Sequence, residues 1–154
     1  MSESANKNPL AQLEETLDEY FGKKAPALPQ NIKEILVKIA PYLVIIGLIF
    51  TIPAILILFG LGSVATVLAP VGGAQSVATV PTMWVGILLL VPVVILEAMA
   101  VPGLFSRKIG AWRFVFWATL ISIVSSLVQI QILGALLSAV IGFYILFQVK
   151  NLYK

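Results

Sequence analysis

The sequence predicts an all-α, polytopic membrane protein: four transmembrane helices preceded by a cytoplasmic amphipathic helix. Three observations predict it. Of the 154 residues 60% are hydrophobic and only 11% charged, with mean hydropathy +1.03, whereas a soluble domain carries about 25% charged residues. Four apolar stretches, about 39–59, 83–105, 114–129 and 133–149, supply candidate spans for a hydrocarbon layer about 30 Å thick. Threading them in order leaves every cationic side chain on one side: Lys7, Lys23, Lys24, Lys33, Lys38, Arg107, Lys108, Arg113, Lys150 and Lys154. Short loops rich in Lys and Arg stay in the cytoplasm, so both termini are expected there.

The stretch from Met83 to Arg113 sets the direction. Its apolar part carries one charged group, Glu97, and a basic turn follows at once with Arg107, Lys108 and Arg113. A net charge of +3 and a pI near 9.3 would point to nucleic acid in a soluble protein. Here the excess lies on membrane flanks, where it orients the chain, and a nucleic-acid partner is not expected. The chain has no Cys and no His. That removes disulfides, thiolate nucleophiles, imidazole bases and the two commonest transition-metal ligands, so neither a metal nor a cofactor is expected.

Residues 1–30 read as a cytoplasmic arm and linker, and 31–154 as the four-helix membrane domain. Asn8 before Pro9 reads as an N-cap and first helical position, and Gly22 as a stop, bracketing a helix over about 9–21. Leu10, Leu13, Leu17 and Phe21 share its apolar face, with Glu14, Glu15, Asp18 and Glu19 opposite. Helices that lie on anionic lipid are usually basic. An acidic one is expected to dock onto protein, so those four apolar residues are the candidate partner-docking surface. Pro26 and Pro29 stiffen the linker, and Asn31 with Glu34 could form a capping box for the first span.

Gly60 to Thr82 contains no charge and is expected on the outer side. The pentapeptide SVATV occurs in it twice, at 63–67 and 76–80, around the turn signals Pro70, Gly72 and Gly73. In a segment so rich in small residues the repeat is expected to be coincidence. Between the third and fourth spans only Gln129 and Gln131 mark a reversal. Tyr42, Trp112 and Tyr153 are expected in the inner aromatic belt and Trp84 in the outer one.

Small residues recur at helical spacing in the last two spans: Ala118, Ser122 and Ser126 in the third, Gly134, Ser138 and Gly142 in the fourth. Apolar burial cannot drive helices together in lipid, so these stripes are expected at helix contacts. Glu97 lies ten residues before Arg107, about 15 Å along a helix and near mid-bilayer, where a charged carboxylate costs about 2.5–3.5 kcal/mol. Ser122 and Ser138 fall at similar depth and are its candidate hydrogen-bond partners. It is either a neutral acid acting as interhelical glue or a group that titrates during transport.

From LPQNIKEILVKIAPYL through PGLFSRKIGAWRF to GFYILFQVK, the chain resembles small four-span inner-membrane proteins of bacteria. The resemblance implies a bacterial cytoplasmic membrane and no activity. Small multidrug-resistance transporters also have four spans and a membrane Glu, but theirs is in the first span and Glu97 is in the second, so no residue carries over. No paired carboxylates, metal cluster, phosphate loop or activated nucleophile is present, and an enzyme is not expected. The expected function is a non-catalytic accessory, scaffold or complex subunit, homo-oligomeric or part of a larger membrane complex. The alternative is a small oligomeric proton- or cation-coupled transporter or channel using Glu97, the one reading that needs an ion or small-molecule substrate.

Overall fold

The computed structural model describes residues 8–154, which contain helices and no strands. Lys7 lies outside the described residues. Helix α1 (Pro9–Leu17) starts where the sequence predicts, with the Asn8 side chain accepting the Leu10 N–H at 3.5 Å. It does not stop at Gly22. Residues 18–24 continue as a wider turn, closed by the Ala25 N–H on the Tyr20 carbonyl at 3.0 Å. Gly22 serves this turn by lacking a side chain, because a Cβ there would lie 2.8 Å from the Asp18 carboxylate.

Helix α2 (Gln30–Leu68) begins on the Pro29 carbonyl, which accepts from Ile32 and Lys33, so no capping box at Asn31 is used. Pro41 and Pro53 both lie inside it. One tight turn, Ala69–Gly72, and Gly73 at φ 85° reverse the chain into α3 (Ala74–Phe105). The uncharged segment 60–82 is therefore a continuous helical hairpin, and the two SVATV copies lie in its two helices. Helices α4 (Ile109–Val128) and α5 (Ile132–Val149) follow. Four helical segments, Gln30–Gly72, Ala74–Phe105, Ile109–Val128 and Ile132–Leu152, are long and apolar enough to cross a membrane. By length and composition the chain has the helices of a multi-pass membrane protein.

The turns leaving α3 and α4 share one geometry. After α3, the Arg107 and Lys108 N–H groups bond back to the Leu104 and Gly103 carbonyls at 3.2 and 2.8 Å; after α4, Ile130 and Gln131 bond to Leu127 and Ser126 at 3.0 and 2.9 Å. Each is a Schellman ending whose left-handed residue is normally Gly. Here those residues are Arg107 at φ 52° and Ile130 at φ 60°. A β-branched side chain in that region is strained by about 1–2 kcal/mol. Ile130 is exposed and touches little, so Ile130→Gly should stabilise the protein by about 1 kcal/mol. Unfolding in mixed detergent micelles reads this directly, and a destabilised variant would mean that the Ile130 side chain does useful packing.

The spans form a closed ring in which α3 lies between α2 and α4, and α5 packs on α4 and closes weakly on α2. Among the described residues every Lys and Arg, from Lys23 to Lys154, lies at one end of this ring, the cationic end. The Gly73 turn marks the other, the hairpin end. At the cationic end α3 and α4 approach closely, since a Cβ on Gly103 would sit 2.6 Å from that of Ala111. At the far end Gly86 takes the Gln129 side chain, 3.1–3.2 Å from where its own Cβ would be. Beyond that level α3 continues for residues 74–85, about 18 Å, and carries the facing part of α2 with it.

The core lies at the cationic end. Trp112 and Phe116 are wholly buried, stacked at 5.6 Å, and Phe147 meets both rings edge-on at 5.3 and 5.8 Å. Val37, Ala100, Leu104, Phe143 and Tyr153 are among the other members of the cluster. Trp112 and Tyr153, expected in an aromatic belt, thus point inward. The Trp112 indole N–H is satisfied by the Leu146 carbonyl at 2.8 Å and has no need of an interface. Tyr42 stays exposed against Phe105, and Trp84 donates to the Thr66 hydroxyl at 2.9 Å near the hairpin end.

Candidate functional site

Two places carry polar chemistry: the seat of the arm at the cationic end, and the level of Glu97 between the helices. At the first, Gln148 is buried in the last turn of α5 and clasps the linker from both sides. Its amide donates to the Phe21 carbonyl at 3.0 Å and its carbonyl accepts the Leu28 N–H at 3.1 Å. One turn earlier, the Tyr144 hydroxyl donates to the Pro26 carbonyl at 2.7 Å. Lys150 meets Glu14 at 3.1 Å and Asp18 at 3.8 Å, with all three side chains mostly buried, and Arg113 stands 4.0 Å from Glu14. By contrast the Glu19–Lys24 pair at 2.8 Å is fully solvated. It lowers the Glu19 pKa and raises that of Lys24, each through their mutual hydrogen bond, and adds little stability.

The arm therefore docks onto its own chain. Leu17 and Phe21, expected to face a partner, pack against the core cluster, Phe21 with its ring 6.0 Å from Phe143. Leu10 and Leu13 stay exposed. The sequence showed the acidic, apolar-striped helix but not its seat, because Gln148 and Tyr144 sit singly in an apolar span. Their spacing of four, which places both on one face, was the available signal.

Glu97 is half-buried on α3, in line with the buried Val93 and Ala100. No described residue hydrogen-bonds or ion-pairs with it. The antiparallel register fixed by Gly103 with Ala111 and Gly86 with Gln129 puts buried Ala118 opposite it and Ser122 one turn farther toward the hairpin end. Ser122 lines a cavity of about 200 Å³ with Val93, Ser125, Ser126 and Gln129. Ser138 is exposed on α5, which has no substantial contact with α3, so the structure does not bring it to Glu97.

The packing stripes divide in the same way. Ala118, Ser122 and Ser126 face neighbouring helices, Ser126 also bonding the Ser122 carbonyl at 3.0 Å. Of the α5 stripe only Gly142 meets another helix, at Thr119; Gly134 and Ser138 look outward, and Ala135 and Ala139 take the inner positions. Arg107 and Lys108 lie in the turn at the cationic end, where the Lys154 N–H bonds the Arg107 carbonyl at 2.8 Å, and Arg113 lies in the second turn of α4. An apolar cleft of about 270 Å³ opens between α2 and α5, with Trp112 behind it. Among the described residues no group of acidic side chains is placed to hold a metal ion. Comparison with protein-family models, curated proteins and solved structures gave no match.

Proposed function

We propose that this chain is a non-catalytic subunit or scaffold of a larger assembly in a bacterial cytoplasmic membrane, with both termini cytoplasmic. The observation that carries this reading is the hairpin's length. Helix α2 stays uncharged from Ile39 to Leu68, about 45 Å, against a hydrocarbon layer of about 30 Å. Tilt accommodates part of the excess. The remainder presents Leu61, Val64, Val67, Leu68 and Val71 with no cover from the chain itself, Val71 being 87% exposed. An apolar surface of that kind outside lipid marks a protein contact. The cytoplasmic counterpart is smaller, reduced to Leu10 and Leu13 by the docking of the arm.

Because the chain has no Cys, a single Val71→Cys substitution gives a unique label site. Its reaction with an aqueous maleimide should be several-fold slower in native membranes than in the purified chain returned to the same lipids. Equal rates would sink the subunit reading. A Lys108→Cys label that reacts from the outer face would overturn the orientation. A second reading, an oligomeric proton- or cation-coupled transporter, draws on Glu97, an intramembrane acid without a described partner.

A further inference from the structure

We infer that Glu97 exchanges a proton with the aqueous phase at the hairpin end alone, through a polar half-path between α3 and α4. The inference deepens the second reading and needs only that Glu97 ionise in the membrane, not that protons cross it.

The path has two parts joined at Gln129. A wide groove of about 730 Å³ runs from the hairpin end between α3 and the α4–α5 turn, with Gln75, Thr79, Thr82 and Gln131 along it. Gln129 closes its floor and is also the roof of the cavity lined by Ser122, Ser125 and Ser126. The Gln129 amide is held there by the Ser125 hydroxyl at 3.1 Å and by the Ser125 carbonyl at 3.3 Å, and it rests on Gly86. The cavity, of about 200 Å³, has Leu89, Leu90 and Val93 on its α3 wall and the Ser122, Ser125 and Ser126 hydroxyls with the Gln129 amide on its α4 wall, which gives water room and polar partners on one side.

Glu97 stands one turn beyond Val93, the last α3 residue lining that cavity, a rise of about 6 Å. Side chains on a helix lean toward its N-terminus. The N-terminus of α3 is the hairpin end, so the Cα–Cβ bond of Glu97 tilts toward the cavity, whose lining stops one turn short of it. In the opposite direction the way is apolar: Ala100 and Leu104 are buried against Trp112 and Phe116.

No other ionisable side chain lies at this level on any of the four helices. The nearest are Tyr42, against Phe105, and Lys38 on α2, Arg107 and Lys108 after α3, Arg113 on α4 and Tyr144 on α5. All belong to the cationic end, where Arg113 faces Glu14 and Tyr144 bonds the linker. Glu97 ionises by releasing its proton to water in the cavity, and takes one back by the same route.

Dicyclohexylcarbodiimide, which crosses membranes, tests this. The protonated carboxyl adds its O–H across one C=N bond, and the O-acylisourea rearranges to a stable N-acylurea without a leaving group, so mass spectrometry reads the adduct on the Glu97 peptide. The protein is placed in vesicles of one orientation, assigned by protease access to the Pro-rich linker, with different pH inside and outside. Labelling should follow the pH on the hairpin side, slowing by about tenfold per pH unit above the carboxyl's own midpoint. It should ignore the pH on the cationic side. Ser122→Leu, which fills the cavity, should slow the response several-fold, and Ser138→Leu, at similar depth on the exposed face of α5, should leave it unchanged. Labelling that follows the cationic side, both sides or neither overturns the inference, whether or not the vesicles show a proton flux. One-sided access without flux keeps the inference and counts against transport.

Discussion

Replacing Trp112 with Ala should lower stability by about 3–5 kcal/mol, the largest loss expected for any single truncation in the chain. The cause differs from that in a soluble core. Lipid tails are as apolar as leucine, so little is lost by exposing carbon to them, and what disappears is contact and hydrogen bonding. The Trp112 ring stacks on Phe116, receives Phe147 on its edge and lies 5.0 Å beneath the Lys150 ammonium. Its N–H is held by the Leu146 carbonyl, which would be left without that donor. The site is closed in by backbone at the Gly103–Ala111 contact, so the space cannot collapse. Trp112→Phe keeps the ring contacts and should lose only about 1 kcal/mol for the hydrogen bond. Reversible unfolding in mixed micelles gives both numbers. A loss below about 1 kcal/mol for the Ala variant would show that the aromatic cluster is not the anchor of the bundle.

Gln148→Leu should release the arm while leaving the four spans in place. A leucine fits the volume but can neither accept from Leu28 nor donate to Phe21. Each backbone group left buried and unpaired costs about 1–3 kcal/mol, more than a nine-residue helix with two mostly buried pairs to Lys150 can offset. The expected result is rapid proteolysis within 23–30 and fast amide exchange at Leu28, with the thermal transition of the membrane bundle nearly unchanged. Continued protection of the linker would mean that Tyr144 and Lys150 suffice. Added salt should loosen the wild-type arm only partly, because screening weakens the ion pairs and spares the amide clasp.

The division between what could and could not be read from the residues follows from what each element depends on. The four apolar stretches and the gathering of cations at one end depend on composition alone, which is why both are present. The reversal at Gln129 to Gln131 carries no glycine because Ile130 itself adopts the left-handed geometry. The strength of that turn lies in its two backbone bonds, which no side chain announces. Segment 60–82 fell outside the predicted spans because the helices it extends are already as long as a bilayer requires. Its Ala, Val and Leu content nonetheless suits a helix once two such helices can pack, as Gly62 does beneath Met83, Trp84 and Ile87. The register that puts Ser122 one turn from the residue opposite Glu97 agrees with residue counts along the helices, although no hydrogen bond joins the two. The position of Ser138 does not agree with them, since equal depth says nothing about which way a helix is turned.

The clasp joins residues 120 and 127 positions apart along the chain. A ribosome therefore makes the arm long before the helix that will hold it, and until the final span is inserted Leu17 and Phe21 have nowhere to go. Their burial is a record of completed assembly. A chain interrupted within its last span would display two greasy side chains on an acidic, unseated helix, which is the kind of signal that membrane proteases and chaperones act on.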